Sequence, residues 1–95
     1  MTRLTLKARV GPGGPVVTLL GRDAWALQQL HAANENGCTP IDHPAPRWSA
    51  YVHKLRKTGI VIETVHEAHG GQFAGSHGRY VLRTEITILE VEGGS

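Results

Sequence analysis

Residues 46–83 constrain the fold of this 95-residue chain more than any other stretch. In residues 46–59 the apolar side chains recur at the spacing of a helix face. The residues that follow contain two runs rich in β-branched and aromatic side chains around a glycine-rich segment. Pro46 suits the first position of a helix, and Gly59 suits the position just after its end. The stretch therefore predicts a helix that leads directly into a β-hairpin.

The helix predicted over 46–59 has one apolar face and one basic face. The apolar face consists of Trp48, Tyr51, Val52 and Leu55. The opposite face and its flanks carry the candidate DNA-binding residues Arg47, Ser49, Ala50, His53, Lys54, Arg56 and Lys57. A small helix that buries one face and exposes a basic one fits the major groove of DNA, although a solvated basic face is the simpler alternative. DNA-reading helices contact bases with their N-terminal residues, which favours Arg47, Ser49, Ala50 and His53.

The hairpin is predicted from strands over 61–66 and 79–83, joined by a mobile loop over 67–78. Four glycines make this loop flexible enough to follow a phosphate backbone closely. Arg79, near the end of the loop, is a candidate probe of the minor groove. Glu63 and Glu67 argue against a hairpin that lies flat on DNA, because carboxylates and phosphates repel each other.

The rest of the chain predicts a few short elements around this unit. Strands are expected over 4–10, 16–19 and 86–91, a helix over 22–34, and a one-turn helix starting at Thr39. The first two strands form either a hairpin over the glycine- and proline-rich segment 11–15 or a strand followed by a loop. The strand over 86–91 pairs with the N-terminal strand or with another subunit.

Three helices, the second of them short, followed by a hairpin form an α+β winged helix-turn-helix arrangement. The runs TPIDHPAPRWSAYVHKLRKTGIVIETVHE and GSHGRYVLR also resemble small winged helix-turn-helix proteins of phage and proteobacterial genomes. The resemblance covers residues 38–83 and rests on Arg47, Ser49, the pair Leu55-Arg56, Gly59 and the run Ile62-Glu63-Thr64. It implies a winged-helix fold and DNA binding. The flanking N- and C-terminal strands are predicted from the residues, and the N-terminal ones go beyond the minimal family pattern.

Length and composition set the remaining bounds. Residues 1–92 are expected to form one domain and residues 93–95 a frayed tail. The formal net charge of +2 permits a nucleic-acid partner without requiring one. A single cysteine excludes an intramolecular disulfide, and the sequence shows neither a long apolar run nor a signal peptide. The expected location is therefore the cytoplasm, without membrane insertion.

Other chemistry has little support in the sequence. His66, Glu67, His69 and His77 could ligate zinc, but their spacing matches no standard structural site, so no metal or cofactor is predicted. Protonation of His53 on the basic face would instead make DNA affinity rise as the pH falls. Cys38, Asp42 and His43 are the residue types of a thiol site, but their positions beside prolines give no evidence of catalytic geometry. The chain is therefore not expected to be an enzyme.

The sequence thus predicts a protein that docks on double-stranded DNA, either a transcriptional regulator or an accessory factor of a phage or mobile element. One such domain binds modestly, so a homodimer through the terminal strands is expected, with the strand over 86–91 as one candidate edge. The alternative is a winged-helix protein-interaction module that binds no nucleic acid.

Overall fold

The computed structural model describes residues 4–39, 47–69 and 75–93, and for residues 68, 69 and 75–77 it describes the backbone alone. The strands of this part are β1 (Thr5–Val10), β2 (Val16–Leu20), β3 (Ile62–His69), β4 (Gly75–Leu82) and β5 (Ile86–Glu92). The helices are α1 (Gly21–Ala33) and α2 (Trp48–Lys57), and a 3₁₀ turn spans Asn34–Asn36. The one-turn helix predicted after Thr39 falls on residues 40–42, outside the described residues.

The two ends of the chain form one antiparallel sheet in the order β2-β1-β5. β1 alternates buried Leu6, Ala8 and Val10 with more exposed residues, so one face of the sheet covers the core. The N-terminal hairpin and the pairing of the C-terminal strand with β1 are thereby confirmed. A register shift in the β1–β5 ladder between Lys7 and Ala8 interrupts the pairing on the β5 side.

Helix α1 follows β2 without a connecting residue and lies between the sheet and α2. Its buried residues Ala24, Ala26, Leu27 and Leu30 fill this layer, as expected for a helix with apolar groups on two sides. Asn34 ends the helix with a φ of 56°. An asparagine accepts this positive φ better than most residues, which agrees with the prediction that the helix ends there.

A single core joins the two helices to both sheets. α2 contributes Trp48, Val52 and Leu55 to it, and Ile60 and Ile62 add the first residues of the hairpin. Gly59 has a φ of 94° and separates the helix from the strand, as predicted from the sequence. The order of elements from α1 to β4 therefore places α2 directly before a two-stranded hairpin, β3–β4, which we call the wing.

The predicted loop over 67–78 is too long. β3 and β4 pair in register from Ile62 opposite Leu82 to His69 opposite Gly75, so the residues at both ends of the predicted loop belong to strands. The ladder satisfies backbone groups that a loop would leave to solvent, and this compensates for glycine's low strand propensity. A Cβ atom added at Gly78 would lie 3.1 Å from Thr64 Cγ2, so this glycine also permits close cross-strand packing.

The segment around Cys38, which no periodic pattern in the sequence predicted, pairs with the other edge of the wing. Cys38 forms a β-bridge with Tyr80, in which each residue's N–H donates to the other's carbonyl at 2.8 Å. Gly37, just before the bridge, has a φ of 69°, and a Cβ atom at this position would lie 2.6 Å from Tyr80 O. Gly37 thus combines a left-handed backbone with a close approach to β4.

Gly37→Ala should destabilise the protein more than Gly59→Ala. Both glycines have positive φ, so an alanine at either position costs about 1–2 kcal/mol in backbone strain. Only at Gly37 does the new methyl group also collide with the backbone of a neighbouring strand, which adds about 1–3 kcal/mol. Urea unfolding of the two variants measures the difference. Equal losses would show that β4 moves away from the methyl group without penalty.

Candidate nucleic-acid interface

Helix α2 turns its polar face to solvent, as the sequence pattern predicted. Trp48, Val52 and Leu55 are buried against the core. Ser49, His53 and Lys57 are exposed on the opposite side, and Ala50 beside them is half-buried. The helix contains no acidic residue, so its outward face offers only neutral and basic groups. Such a surface does not repel a polyanion.

The N-terminal turn of α2 is held by an aromatic cluster around Trp48. The Trp48 side chain is 3% exposed, and its ring centroid lies 5.4 Å from that of Trp25 on α1. Tyr80 of β4 stacks on it at 6.0 Å, and Tyr51 approaches edge-on at 6.4 Å. Because α1 and the wing both contact this indole, the rotation of α2 about its axis is fixed, and Ser49 and His53 are directed outward.

Arg47 precedes the helix in an uncommon backbone conformation, so the prediction that the helix already includes Arg47 is wrong. Its φ of 71° and ψ of 32° are left-handed, and its carbonyl accepts hydrogen bonds from the N–H groups of Ala50 at 3.0 Å and Tyr51 at 3.3 Å. The side chain is exposed at the start of the outward face. A left-handed arginine costs about 1–2 kcal/mol relative to glycine. Glycine would therefore fit the backbone at this position better than the arginine that occupies it.

Two basic residues line a cleft between α1 and α2: Lys54 belongs to α2 and Arg22 to α1. Lys54 is 67% exposed, and its Nζ atom is 3.9 Å from Asp23 Oδ2, a distance at which a surface ion pair contributes little. Arg22 is exposed, with its guanidinium carbon 5.5 Å from the centroid of the Trp25 ring. Both line a cleft of about 470 Å³ together with Leu20, Gly21 and Asp23. Sequence reasoning missed Arg22, because no spacing rule relates α1 to α2.

Arg56 is engaged with the wing. Its Nη2 atom donates to Ile62 O at 2.7 Å and to Thr64 Oγ1 at 2.9 Å, and Nε donates to Ile62 O at 3.2 Å. These bonds connect the last turn of α2 to the first residues of β3. The sequence grouped Arg56 with the phosphate contacts, but the structure shows that it also holds the helix and the wing together.

The acidic residues of the wing are paired with arginines of the same hairpin or its continuation. Arg79 Nε donates to Glu67 Oε2 at 2.9 Å, and Arg83 Nη2 lies 2.8 Å from Glu63 Oε1. Arg79 Nη1 also donates to Asn36 O at 2.7 Å. Arg79 therefore lies in a strand, as predicted, but it is in the middle of β4 and contacts the 3₁₀ turn, so its predicted position next to a loop is wrong. The two carboxylates that were expected to repel DNA each have a cationic partner.

The other candidate chemistry finds no assembled site in the described part of the chain. Among the described residues, no three His, Cys, Asp or Glu side chains are grouped so that they could hold a metal ion. The side chains of His69 and His77 lie outside this description, as do Asp42 and His43. Cys38 is fully buried. No helix among the described residues is long and apolar enough to span a bilayer.

Arg56→Gln should lower the free energy of unfolding by about 1–2 kcal/mol, because it removes charged hydrogen bonds to Ile62 and Thr64. Lys57→Gln removes the same charge from the adjacent exposed position and should change stability by less than about 0.5 kcal/mol. Thermal and urea unfolding test the pair. Equal stabilities of the two variants would contradict a structural role for Arg56.

Comparison with known proteins agrees with this architecture. A model of the winged helix domain family matches residues 16–92, which extend from β2 through β5. No curated protein and no solved structure matches the chain. The match covers well over half of the sequence and includes both helices and the wing. The chain therefore belongs to the winged helix domain family.

Proposed function

We propose that this protein binds double-stranded DNA by placing α2 in the major groove. The observation that carries the proposal is the outward face of α2, which exposes Ser49, His53 and Lys57 without any carboxylate on the helix. Lys54 and Arg22 extend the positive surface along one flank, where Asp23 is the only acid among the described residues that line the cleft. A helix of this size fits the groove, and its charge favours the phosphate backbone.

The side chains divide into three roles. Ser49, Ala50 and His53, near the start of the helix, face the base edges. The flexible cations contact phosphates, which supply affinity without sequence information; these are Arg22, Arg47, Lys54 and Lys57. Arg56 and Arg79, also candidates for DNA contact from the sequence, act mainly by positioning, because their guanidinium groups bond to β3 and to the 3₁₀ turn.

The proposed action is docking without covalent chemistry, in a cytoplasmic regulator of transcription or an accessory factor of a mobile element. Phosphate contacts dominate the affinity of such a domain, so binding should weaken steeply as salt is added. A single domain of this size covers little DNA, and a dimer on a two-fold site would raise both affinity and specificity. The competing role is that of a protein-interaction module, for which salt-dependent DNA binding is absent.

Lys57→Gln should weaken binding to random duplex DNA at every salt concentration and reduce the slope of log K against log salt by about 1. Lys7→Gln is the matched control, because Lys7 is exposed on β1 and pairs with Glu90 on the sheet face turned away from the core. Fluorescence anisotropy at several salt concentrations provides the measurement. If neither variant differs from the parent, or if the parent does not bind at low salt, the proposal is wrong.

Arg47→Gly should separate folding from binding. Glycine adopts the left-handed conformation of residue 47 without strain, so the free energy of unfolding should stay the same or rise by up to about 1 kcal/mol. DNA affinity should nevertheless fall, because an exposed cation at the start of α2 is lost. Anisotropy and urea unfolding on the same samples test both effects. Unchanged affinity would remove Arg47 from the DNA-contacting set.

A further inference from the structure

The β2-β1-β5 sheet has two edges of different chemical character. β5 contains Glu90 and Glu92, and its ladder with β1 has an irregular register. Charges and bulges are common means of preventing edge-to-edge association. β2 reads VVTLL, without a charge, a proline or a register shift. Of the two edges, β2 is therefore the one that lacks protection.

The hydrogen-bond pattern shows which backbone groups β2 presents outward. Val10 N–H donates to Pro15 O at 2.9 Å, and Gly21 N–H donates to Leu4 O at 2.8 Å. In an antiparallel ladder, residues alternate between bonding to the neighbouring strand and facing away from it. Residues 15, 17, 19 and 21 therefore face β1. The N–H and C=O groups of Val16 and Thr18 and the N–H group of Leu20 face the open edge, where no other strand of the described chain pairs with them. The carbonyl of Leu20, the N-cap residue of α1, accepts the first hydrogen bond of that helix.

We propose that β2 pairs antiparallel with β2 of a second copy of this chain, about a two-fold axis through Thr18. The axis places Thr18 opposite Thr18 of the partner subunit and Val16 opposite Leu20 of the partner subunit. Thr18 then exchanges two backbone hydrogen bonds with Thr18 of the partner subunit, and the N–H group of Leu20 donates to the carbonyl of Val16 of the partner subunit. The result is a continuous six-stranded sheet in the order β5-β1-β2-β2-β1-β5.

The side chains of the edge are complementary to themselves. Val16 is 48% exposed and Leu20 is 49% exposed. In the proposed dimer Val16 of each subunit lies opposite Leu20 of the other, so the contact contains two such apolar pairs. No charge on either strand opposes the contact. The same operation at β5 would bring Glu90 and Glu92 close to the same residues of the partner subunit. The absence of charge thus favours the β2 edge over β5. A second copy is the partner that fits, because it offers exposed Leu20 opposite Val16 and exposed Val16 opposite Leu20.

A contact confined to two five-residue strands is smaller than a standard protein interface, so we expect weak, concentration-dependent dimerisation. The contact lies on the sheet and uses none of the DNA-contacting residues proposed on α2. It can therefore be tested without DNA, and its failure would leave the proposed DNA binding unaffected.

Thr18→Glu should abolish dimerisation, because it places two carboxylates opposite each other at the two-fold axis. Thr87→Glu is the matched control on the other edge strand. The carboxylate introduced at position 18 lies opposite Lys7 of β1, and the one introduced at position 87 lies opposite Arg9. Both monomers should therefore tolerate the substitution. Sedimentation equilibrium over a range of protein concentrations should show that the parent and Thr87→Glu dimerise and that Thr18→Glu does not. A parent protein that stays monomeric at every concentration, or loss of the dimer in Thr87→Glu alone, would overturn the proposal.

A cysteine at position 18 tests the register. In a hydrogen-bonded antiparallel pair the two Cα atoms are about 5.5 Å apart, within the range of a disulfide. Under mild oxidation Thr18→Cys should form a covalent dimer on non-reducing gels, whereas Thr87→Cys should not. The native Cys38 is fully buried and should not compete. Equal cross-linking of both variants would indicate random collision and contradict the proposed axis.

Discussion

The burial of the Trp48 indole fixes the orientation of α2 relative to α1 and the wing. Trp48 occupies the first turn of α2 and contacts rings from α1 and β4 at the same time. A helix of ten residues is too short to keep a defined orientation by itself. Because the indole is wedged between the first helix and the wing, the outward face of α2 is set by core packing. The packing of the aromatic cluster thus determines which side chains of α2 form the exposed basic surface.

The distribution of charge matters more than its total. The chain has a formal net charge of only +2, and a basic surface exists because the acids of the wing are paired with arginines. These pairs are partly exposed, so they add little stability. Their main effect is that neither Glu63 nor Glu67 is an isolated carboxylate on the wing. A protein with this modest net charge can in this way present one face suited to a polyanion.

Local patterns predicted most of the elements. The apolar spacing of Trp48, Val52 and Leu55 gave the buried face of α2, and the alternation in β1 gave the half-buried strand. Glycine content was a poor guide to the wing, since Gly75 and Gly78 lie in a strand whose partner decides their conformation. The roles of Arg56 and Arg79 depend on partners distant in sequence, up to 43 residues away for Arg79 and Asn36. No local pattern contains that information. The bridge between Cys38 and Tyr80 could not be predicted from the sequence for the same reason.

The direct passage of β2 into α1 has a mechanical consequence. Leu20 is both the last residue of the strand and the cap of the helix, so no flexible linker separates the sheet edge from the cleft with Arg22 and Lys54. If two copies join along this edge, the hydrogen-bond register sets the distance between their two α2 helices. A slip of two residues along the strand would shift one copy by roughly 7 Å. That distance is about two base steps of duplex DNA, so strand register would set the spacing of half-sites in discrete increments.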